Sequence, residues 1–186
     1  SGEGFSVQAN MMLNDGVWPA MAAAYRAAQA SGQGDLADWM MAALDAAQAA
    51  GGDLRGRQSA CLKVVRGQTP AKPWQGVLVD LRVEDASDPL AELRRLLHLQ
   101  RAYEHMNTGD ALLGAGEIEQ ALQAYRAAAQ MAPHVAELPF WQAVTLADLG
   151  RLEEALPIFA QVFAAEPQWA EMLRRLPPAG LLRDDP

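Results

Sequence analysis

A glycine-punctuated loop carries the densest set of chemically useful side chains in this sequence. Residues 51–60 read Gly-Gly-Asp-Leu-Arg-Gly-Arg-Gln-Ser-Ala, so a carboxylate, two guanidinium groups and an amide follow closely. These groups belong to Asp53, Arg55, Arg57 and Gln58. Loops often hold binding residues, and guanidinium groups suit bidentate recognition of carboxylates. We predict that the loop fixes the carboxylate and amine ends of a substrate, with a local ion-pair network that stiffens the turn as the alternative.

Asn10 is a second candidate for chemistry. It stands near the end of residues 5–11, where apolar and polar residues alternate as they do in a strand. From a strand end, its side-chain amide could donate a hydrogen bond to a developing oxyanion. The alternative is a buried amide that satisfies backbone groups at the strand end.

The remaining titratable residues predict no metal site and no cofactor. Asp80 and Arg82 lie two apart on a predicted strand and share a face, so an ion pair explains them. His98 and His105 are seven apart, whereas metal-binding pairs on a helix are usually closer. Cys61 has apolar neighbours, and we interpret it as a small core residue.

Composition restricts the class of partner. Of 186 residues, 51% are hydrophobic and 20% charged, which is typical of a globular protein. The formal net charge of -8 repels phosphate backbones and anionic lipid, so we expect neither nucleic acid nor a membrane as partner. We expect a cytoplasmic protein. The start Ser1-Gly2-Glu3-Gly4 is neither an initiator methionine nor a signal peptide, and we expect polypeptide upstream.

Residues 1–87 have the pattern of an α/β layered domain. We predict strands over 5–11, 59–65 and 77–83, and helices over 17–30 and 36–50. Three strands are too few for a sheet with both edges protected. We therefore expect the sheet to be completed by polypeptide outside this sequence.

The second half is predicted to be helical and repetitive. Four pairs of residues recur 34 positions apart, namely Gly116 and Gly150, Ala121 and Ala155, Tyr125 and Phe159, and Pro133 and Pro167. A 34-residue helix–turn–helix with a small residue, an aromatic residue and a closing proline resembles the tetratricopeptide repeat. We predict a linking helix over 88–101, two repeats with a capping helix within 102–176, and a tail over 177–186.

The repeats predict a groove for a protein partner. The residues expected to contact that partner are Tyr103, Met106, Asp110, Phe140 and Val144. An acidic, apolar groove favours a partner helix with apolar and basic residues, or self-association into a homo-oligomer. Packing of these residues against the neighbouring domain is the alternative.

The run at residues 4–12, the loop at 51–60 and Val79 to Asp85 with Asp88-Pro89 resemble a known group. They are similar to the C-terminal half of a bacterial family of N-terminal-nucleophile (Ntn) hydrolase-like proteins with no assigned substrate. The resemblance covers about residues 1–100. Some members of that family are similar in carrying a C-terminal helical or peptidoglycan-binding extension.

The resemblance implies an αββα sandwich in which a chain-initial Thr, Ser or Cys attacks an amide carbonyl. Its own α-amino group serves as the base. The implied nucleophile lies upstream of this sequence, with Ser1 as the weaker candidate within it. The fold class expected is thus α/β plus α, a partial Ntn-hydrolase-like sandwich followed by a helical hairpin array.

Two functions follow from these observations. The first is an amidohydrolase that acts on a C–N bond and carries an interaction or oligomerisation module. The second is a non-catalytic scaffold of tetratricopeptide type, with a cell-wall-binding extension as a variant. The repeats are compatible with both.

Overall fold

The structure is a computed structural model that describes residues 3–183. The chain divides into two compact units between Leu97 and His98. The elements of the first are α1 (Val17–Ser31), α2 (Leu36–Ala49), β1 (Ala60–Val65), a short 3₁₀ helix (Pro73–Gly76), β2 (Val77–Val83) and the start of α3 (Pro89–Gly114). The second holds the rest of α3, α4 (Ile118–Met131), α5 (Glu137–Asp148), α6 (Leu152–Ala165), α7 (Gln168–Arg175) and a 3₁₀ turn (Pro177–Ala179).

Local capping explains where the first two helices stop and start. Gly32 ends α1 in a left-handed conformation, with φ at 65°. The Asp35 carboxylate accepts hydrogen bonds from the backbone N–H groups of Ala37 and Asp38, and the Asp38 carboxylate accepts one from the Asp35 N–H. This capping box satisfies donors that a helix N-terminus otherwise leaves unpaired. The two helices pack against each other. Both therefore agree with the prediction to within one residue.

The sheet consists of two antiparallel strands in which Leu62 pairs with Leu81 and Lys63 with Asp80. One face is buried in a core with residues of α2 and α3. That core contains Ala37, Met41, Leu62, Val64, Val79, Val83, Leu93 and Leu97. On the other face the Asp80 carboxylate lies 3.3 Å from Nζ of Lys63 and 3.0 Å from Nε of Arg82. The ion pair predicted for Asp80 and Arg82 is present.

The strand predicted over residues 5–11 is wrong, because the sheet in the described residues contains β1 and β2 alone. Met11 has a positive φ of 50°, which breaks the extended conformation. The chain then pairs with the glycine-rich loop, where the Leu13 N–H donates to the Gly52 carbonyl over 2.9 Å. Cys61 also departs from the prediction, since it is exposed and not a core residue.

Close packing of α3 and α4 organises the second unit. The ring of Tyr125 lies over Gly109 so tightly that a methyl group there would come within 2.6 Å of Cε1. The Tyr125 hydroxyl donates to Asp110 over 2.7 Å, and the ring is 2% exposed. In the second repeat Phe159 takes the equivalent position and meets Phe140 edge to face at 5.9 Å. Ala121 and Ala155 are fully buried, as the close approach of paired helices requires.

Helix α3 is one continuous helix of 26 residues, where the prediction placed a linking helix and then a repeat. The division of the chain at Leu97 falls inside it, and the predicted domain limits stay a prediction. Gly116 and Gly150 lie in the turns after the first helix of each repeat, with φ of 81° and 76°. None of the helices within residues 3–183 is long and apolar enough to cross a bilayer.

We expect Gly109→Ala to destabilise the chain by up to about 2 kcal/mol. Overpacking against the Tyr125 ring costs about 1–3 kcal/mol, and the better helix propensity of alanine returns about 1 kcal/mol. Urea unfolding followed by circular dichroism measures the change. Gly114→Ala is the matched control, because open space surrounds Gly114 in the same helix. Equal stability of both variants would contradict the close packing.

Candidate functional site

A cleft of about 800 Å³ opens beside the glycine-rich loop in the first unit. All four predicted substrate-binding residues line it. The complete lining is Met12, Leu44, Ala47, Gln48, Gly52, Asp53, Arg55, Gly56, Arg57, Gln58, Ser59, Pro89 and Leu90. The structure therefore brings together the residues that the sequence grouped, and adds a wall from α2 and the start of α3.

Within the loop, Asp53 and Arg55 form a closed pair. The Asp53 carboxylate accepts hydrogen bonds from Nε of Arg55 at 2.9 Å and from its terminal nitrogen at 2.6 Å. It also accepts the Arg55 backbone N–H at 2.8 Å, which makes an Asx turn. The side-chain and then the backbone hydrogen bonds from Arg55 lower the pKa of Asp53 to about 2. The two charges are mutually neutralised at the mouth of the cleft.

Arg57 and Gln58 tie the loop to the segment that follows β2. A terminal nitrogen of Arg57 lies 3.3 Å from the Asp88 carboxylate, and Nε2 of Gln58 donates to Asp85 over 3.2 Å. Asp88 also accepts the Ala91 N–H and so caps α3. Arg57 remains 43% exposed, so its guanidinium can bind an anion without leaving Asp88.

The two catalytic candidates lie elsewhere. Asn10 is exposed in a bend and is not at a strand end, so the geometric reason for an oxyanion role is absent. It is not one of the residues that line the cleft. Ser1 lies outside the described residues. The cleft can thus bind a charged ligand, and the described residues that line it do not include a nucleophile paired with a base.

The second unit has a smaller cavity of about 190 Å³ lined by residues of α3, α4 and α5, which we name the groove. Its lining is Asp110, Leu113, Tyr125, Trp141, Val144, Thr145, Asp148, Leu149 and Leu181. Asp110, Asp148 and Leu181 are exposed, while the other apolar lining residues are buried or half-buried and form the floor. The Thr145 hydroxyl donates a hydrogen bond to the Trp141 carbonyl over 3.0 Å. The groove is therefore apolar with two carboxylates.

The predicted partner-contacting residues divide between the surface and the core. Asp110 lies in the groove as predicted. Phe140 is 0% exposed and belongs to the core, whereas Val144 is 4% exposed and lines the groove. Tyr103 and Met106 are half-buried outside the groove. The Glu137 carboxylate accepts the Tyr103 hydroxyl at 2.7 Å, which raises the pKa of Tyr103 to about 12.

Sequence reasoning missed Trp141 and Thr145 in the part of the groove that α5 lines. These two residues are four apart and share one face of the helix. Of the α5 residues predicted to contact a partner, Val144 also lines the groove, whereas Phe140 is fully buried. Adjacent aromatic residues at positions 140 and 141 left open which of them is exposed, and the polar Thr145 is the signal that favours Trp141.

The family model for a family of unknown function, DUF1028, matches residues 1–93, which is half of the chain. The chain belongs to the DUF1028 family. In this DUF1028 chain a tetratricopeptide repeat model matches residues 112–176, and the predicted repeat region is confirmed. Neither a search of curated proteins nor a search of solved structures gives a match.

We expect the Asp53 carboxylate of this DUF1028 chain to titrate near pH 2 in a carbon-detected NMR titration. A depressed folded-state pKa means that the Asp53–Arg55 pair stabilises the loop above the ordinary value of 3.8. The stabilisation by the Asp53–Arg55 pair is lost as the pH falls from 3.8 towards 2. Arg55→Gln should move the midpoint up towards 3.8.

Arg57→Gln is the control for this titration, because Arg57 pairs with Asp88 and not with Asp53. It should leave the Asp53 midpoint unchanged. An unaltered midpoint in Arg55→Gln would show that the pair does not form.

Proposed function

We propose that this protein is an interaction protein whose groove binds a partner segment with apolar and basic side chains. The observation that carries the proposal is the lining of the groove. Two exposed carboxylates, Asp110 and Asp148, lie beside an apolar floor, and none of the nine lining residues is basic. A basic residue in the partner would gain charge-assisted hydrogen bonds there.

The charge of the surrounding unit supports the same partner chemistry. Residues 98–186 contain twelve acidic and six basic residues. Several of those basic groups are already paired, since Arg151 lies 2.7 Å from Glu119 and 2.6 Å from Glu154. A surface with an acidic excess attracts cationic segments and accelerates their association.

Trp141 gives the groove an anchor for apolar side chains. It is half-buried and its ring lies 5.4 Å from Phe140, so the core below holds it in place. Preorganised aromatic side chains are frequent hot spots because they bury large area with little loss of entropy. Asp110 is equally fixed, since the Tyr125 hydroxyl donates to it. The groove therefore needs little ordering on binding.

The test uses two helical peptides of equal length, one with leucine and arginine on alternate faces and one with leucine and glutamate. Fluorescence anisotropy with the full chain should detect binding of the Leu/Arg peptide alone. Asp110→Asn should weaken it about threefold to tenfold, because a neutral acceptor replaces a charged one. The amide oxygen of asparagine still accepts the Tyr125 hydroxyl, so the core is kept.

Glu153→Gln is the matched control, because it removes the same charge from an exposed position on α6. It should leave the affinity unchanged. Equal binding of both peptides, or equal loss in both variants, would contradict the proposal. A second copy of the chain is the competing occupant, and concentration-dependent light scattering that is sensitive to Asp110→Asn would identify it.

A second candidate function is amide hydrolysis by an Ntn-type site, of which this chain supplies the substrate-binding part. It is favoured by the cleft, where Asp53, Arg55, Arg57 and Gln58 all line one cavity. In this proposal the exposed guanidinium of Arg57 holds a substrate carboxylate. The nucleophile is a chain-initial residue outside residues 3–183.

The sheet supports a larger fold around that site. A two-stranded sheet is marginal alone, and Val65 and Leu78 are 56% and 41% exposed on its outer face. A facing layer of further strands would cover them. This is the arrangement that an αββα sandwich provides, and we propose it for the complete domain.

Release of amine from a panel of amides by the native full-length product tests this candidate. Arg57→Gln should raise KM about tenfold or more at nearly constant kcat, because it removes a charge-assisted hydrogen bond made in the ground state. Arg66→Gln is the control, since Arg66 does not line the cleft. If the unaltered full-length protein hydrolyses none of the amides, this candidate function is contradicted.

A further inference from the structure

The segment after α7, which belongs to the tail predicted over residues 177–186, lies on the groove. Leu181 lines the groove, and Leu182 is 8% exposed in the same apolar cluster as Phe140 and Val144. We name Leu181–Arg183 the strap. Leu181 therefore contacts the surface that the proposed partner needs, while Leu182 is buried in the core of the unit.

The turn at residues 177–180 directs the strap towards the groove. Pro177 and Pro178 follow α7 after one intervening residue, and Gly180 turns the chain with a φ of 71°. The Leu181 N–H then donates to the Leu176 carbonyl over 3.0 Å. Leu176 is itself 2% exposed in the core of the unit. The strap thus starts from a fixed point.

The last residue of the strap binds a groove carboxylate. The Arg183 backbone N–H donates to Oδ1 of Asp148 over 3.0 Å, and Nε of the same arginine lies 3.6 Å from that oxygen. Both side chains are about half exposed, at 49% and 52%. An exposed pair of this kind adds at most a factor of about five to an equilibrium constant.

We infer that the strap is an intramolecular ligand of the groove, which a partner must displace. This inference depends on the proposed function of the groove. Leu181 lies against the apolar lining of the groove and Arg183 contacts the Asp148 carboxylate, so an aliphatic residue followed by a cation matches the groove. The groove therefore binds a chain segment of that chemistry, and the partner competes by presenting the same pattern. Weak contacts at Leu181 and Arg183 allow the exchange.

The test measures how tightly the full chain binds the synthetic heptapeptide Ala-Gly-Leu-Leu-Arg-Asp-Asp, which copies residues 179–185. The double variant Leu181→Ser/Arg183→Ala weakens the strap and keeps the buried Leu182. It should bind the heptapeptide about three to ten times more tightly than the unaltered chain, because the open groove is more populated. Equal affinities would overturn the inference.

Leu156→Ser/Arg174→Ala is the matched control, because it makes the same two changes at exposed positions of α6 and α7. It should bind like the unaltered chain. A gain in this control equal to that of the strap variant would also overturn the inference. Replacing arginine by glutamate in the heptapeptide should abolish its binding, and retained binding would argue against the role of Asp148.

A second measurement separates the strap from the groove. Saturation of the unaltered chain with the Leu/Arg peptide should accelerate hydrogen exchange at the Arg183 amide, since displacement frees that N–H. Peptide binding without faster exchange would leave the proposed function intact and overturn the strap. If neither the unaltered chain nor the Leu181→Ser/Arg183→Ala variant binds any apolar, basic peptide, the proposed function itself is overturned.

Discussion

The second unit depends on the contact between the Tyr125 ring and the backbone of Gly109. No other residue type leaves room for the ring, because an added methyl group would lie 2.6 Å from it. The contact fixes the distance between α3 and α4. It also places the Tyr125 hydroxyl against Asp110, and burial followed by that hydrogen bond raises the pKa of Tyr125 far above its usual value. One packing contact thus orients a groove carboxylate.

The second repeat uses the same positions with different chemistry. Phe159 replaces Tyr125 and has no hydroxyl, and Val144 stands 34 residues after Asp110. The carboxylate of the second repeat therefore comes from Asp148 at the end of α5. The groove therefore has one carboxylate from each repeat beside its apolar residues. This arrangement explains why a basic group with apolar neighbours suits the groove.

The sequence could predict those parts of the structure that local rules decide. The capping side chain of Asp35 predicts the start of α2, and the 34-residue period predicts the positions of the paired helices. The prediction of a strand at residues 5–11 was wrong because alternating apolar and polar residues show only that a strand could form. A strand in a sheet also requires a neighbouring strand to pair with. The burial of Phe140 could not be predicted because Phe140 and Trp141 are adjacent and both apolar. Only tertiary packing decides which of them is buried.

The candidate sites show the same distinction. The loop residues around Asp53 and Arg57 are close in sequence, so their common cleft could be predicted from a single motif. The wall that Gln48 and Leu90 contribute depends on how α2 and α3 pack, and no local pattern shows it. The position of the strap is likewise a tertiary property, since Leu182 looks like any apolar residue in a C-terminal segment. Its burial follows from the turn at Gly180.

The most direct test of this account is a nuclear Overhauser measurement on the full chain with labelled tyrosine and glycine. The structure predicts a strong cross-peak between the ε protons of Tyr125 and the α protons of Gly109. Absence of that cross-peak in the folded chain would mean that α3 and α4 do not approach as described. The orientation of Asp110, and with it the groove, would then lose its physical basis.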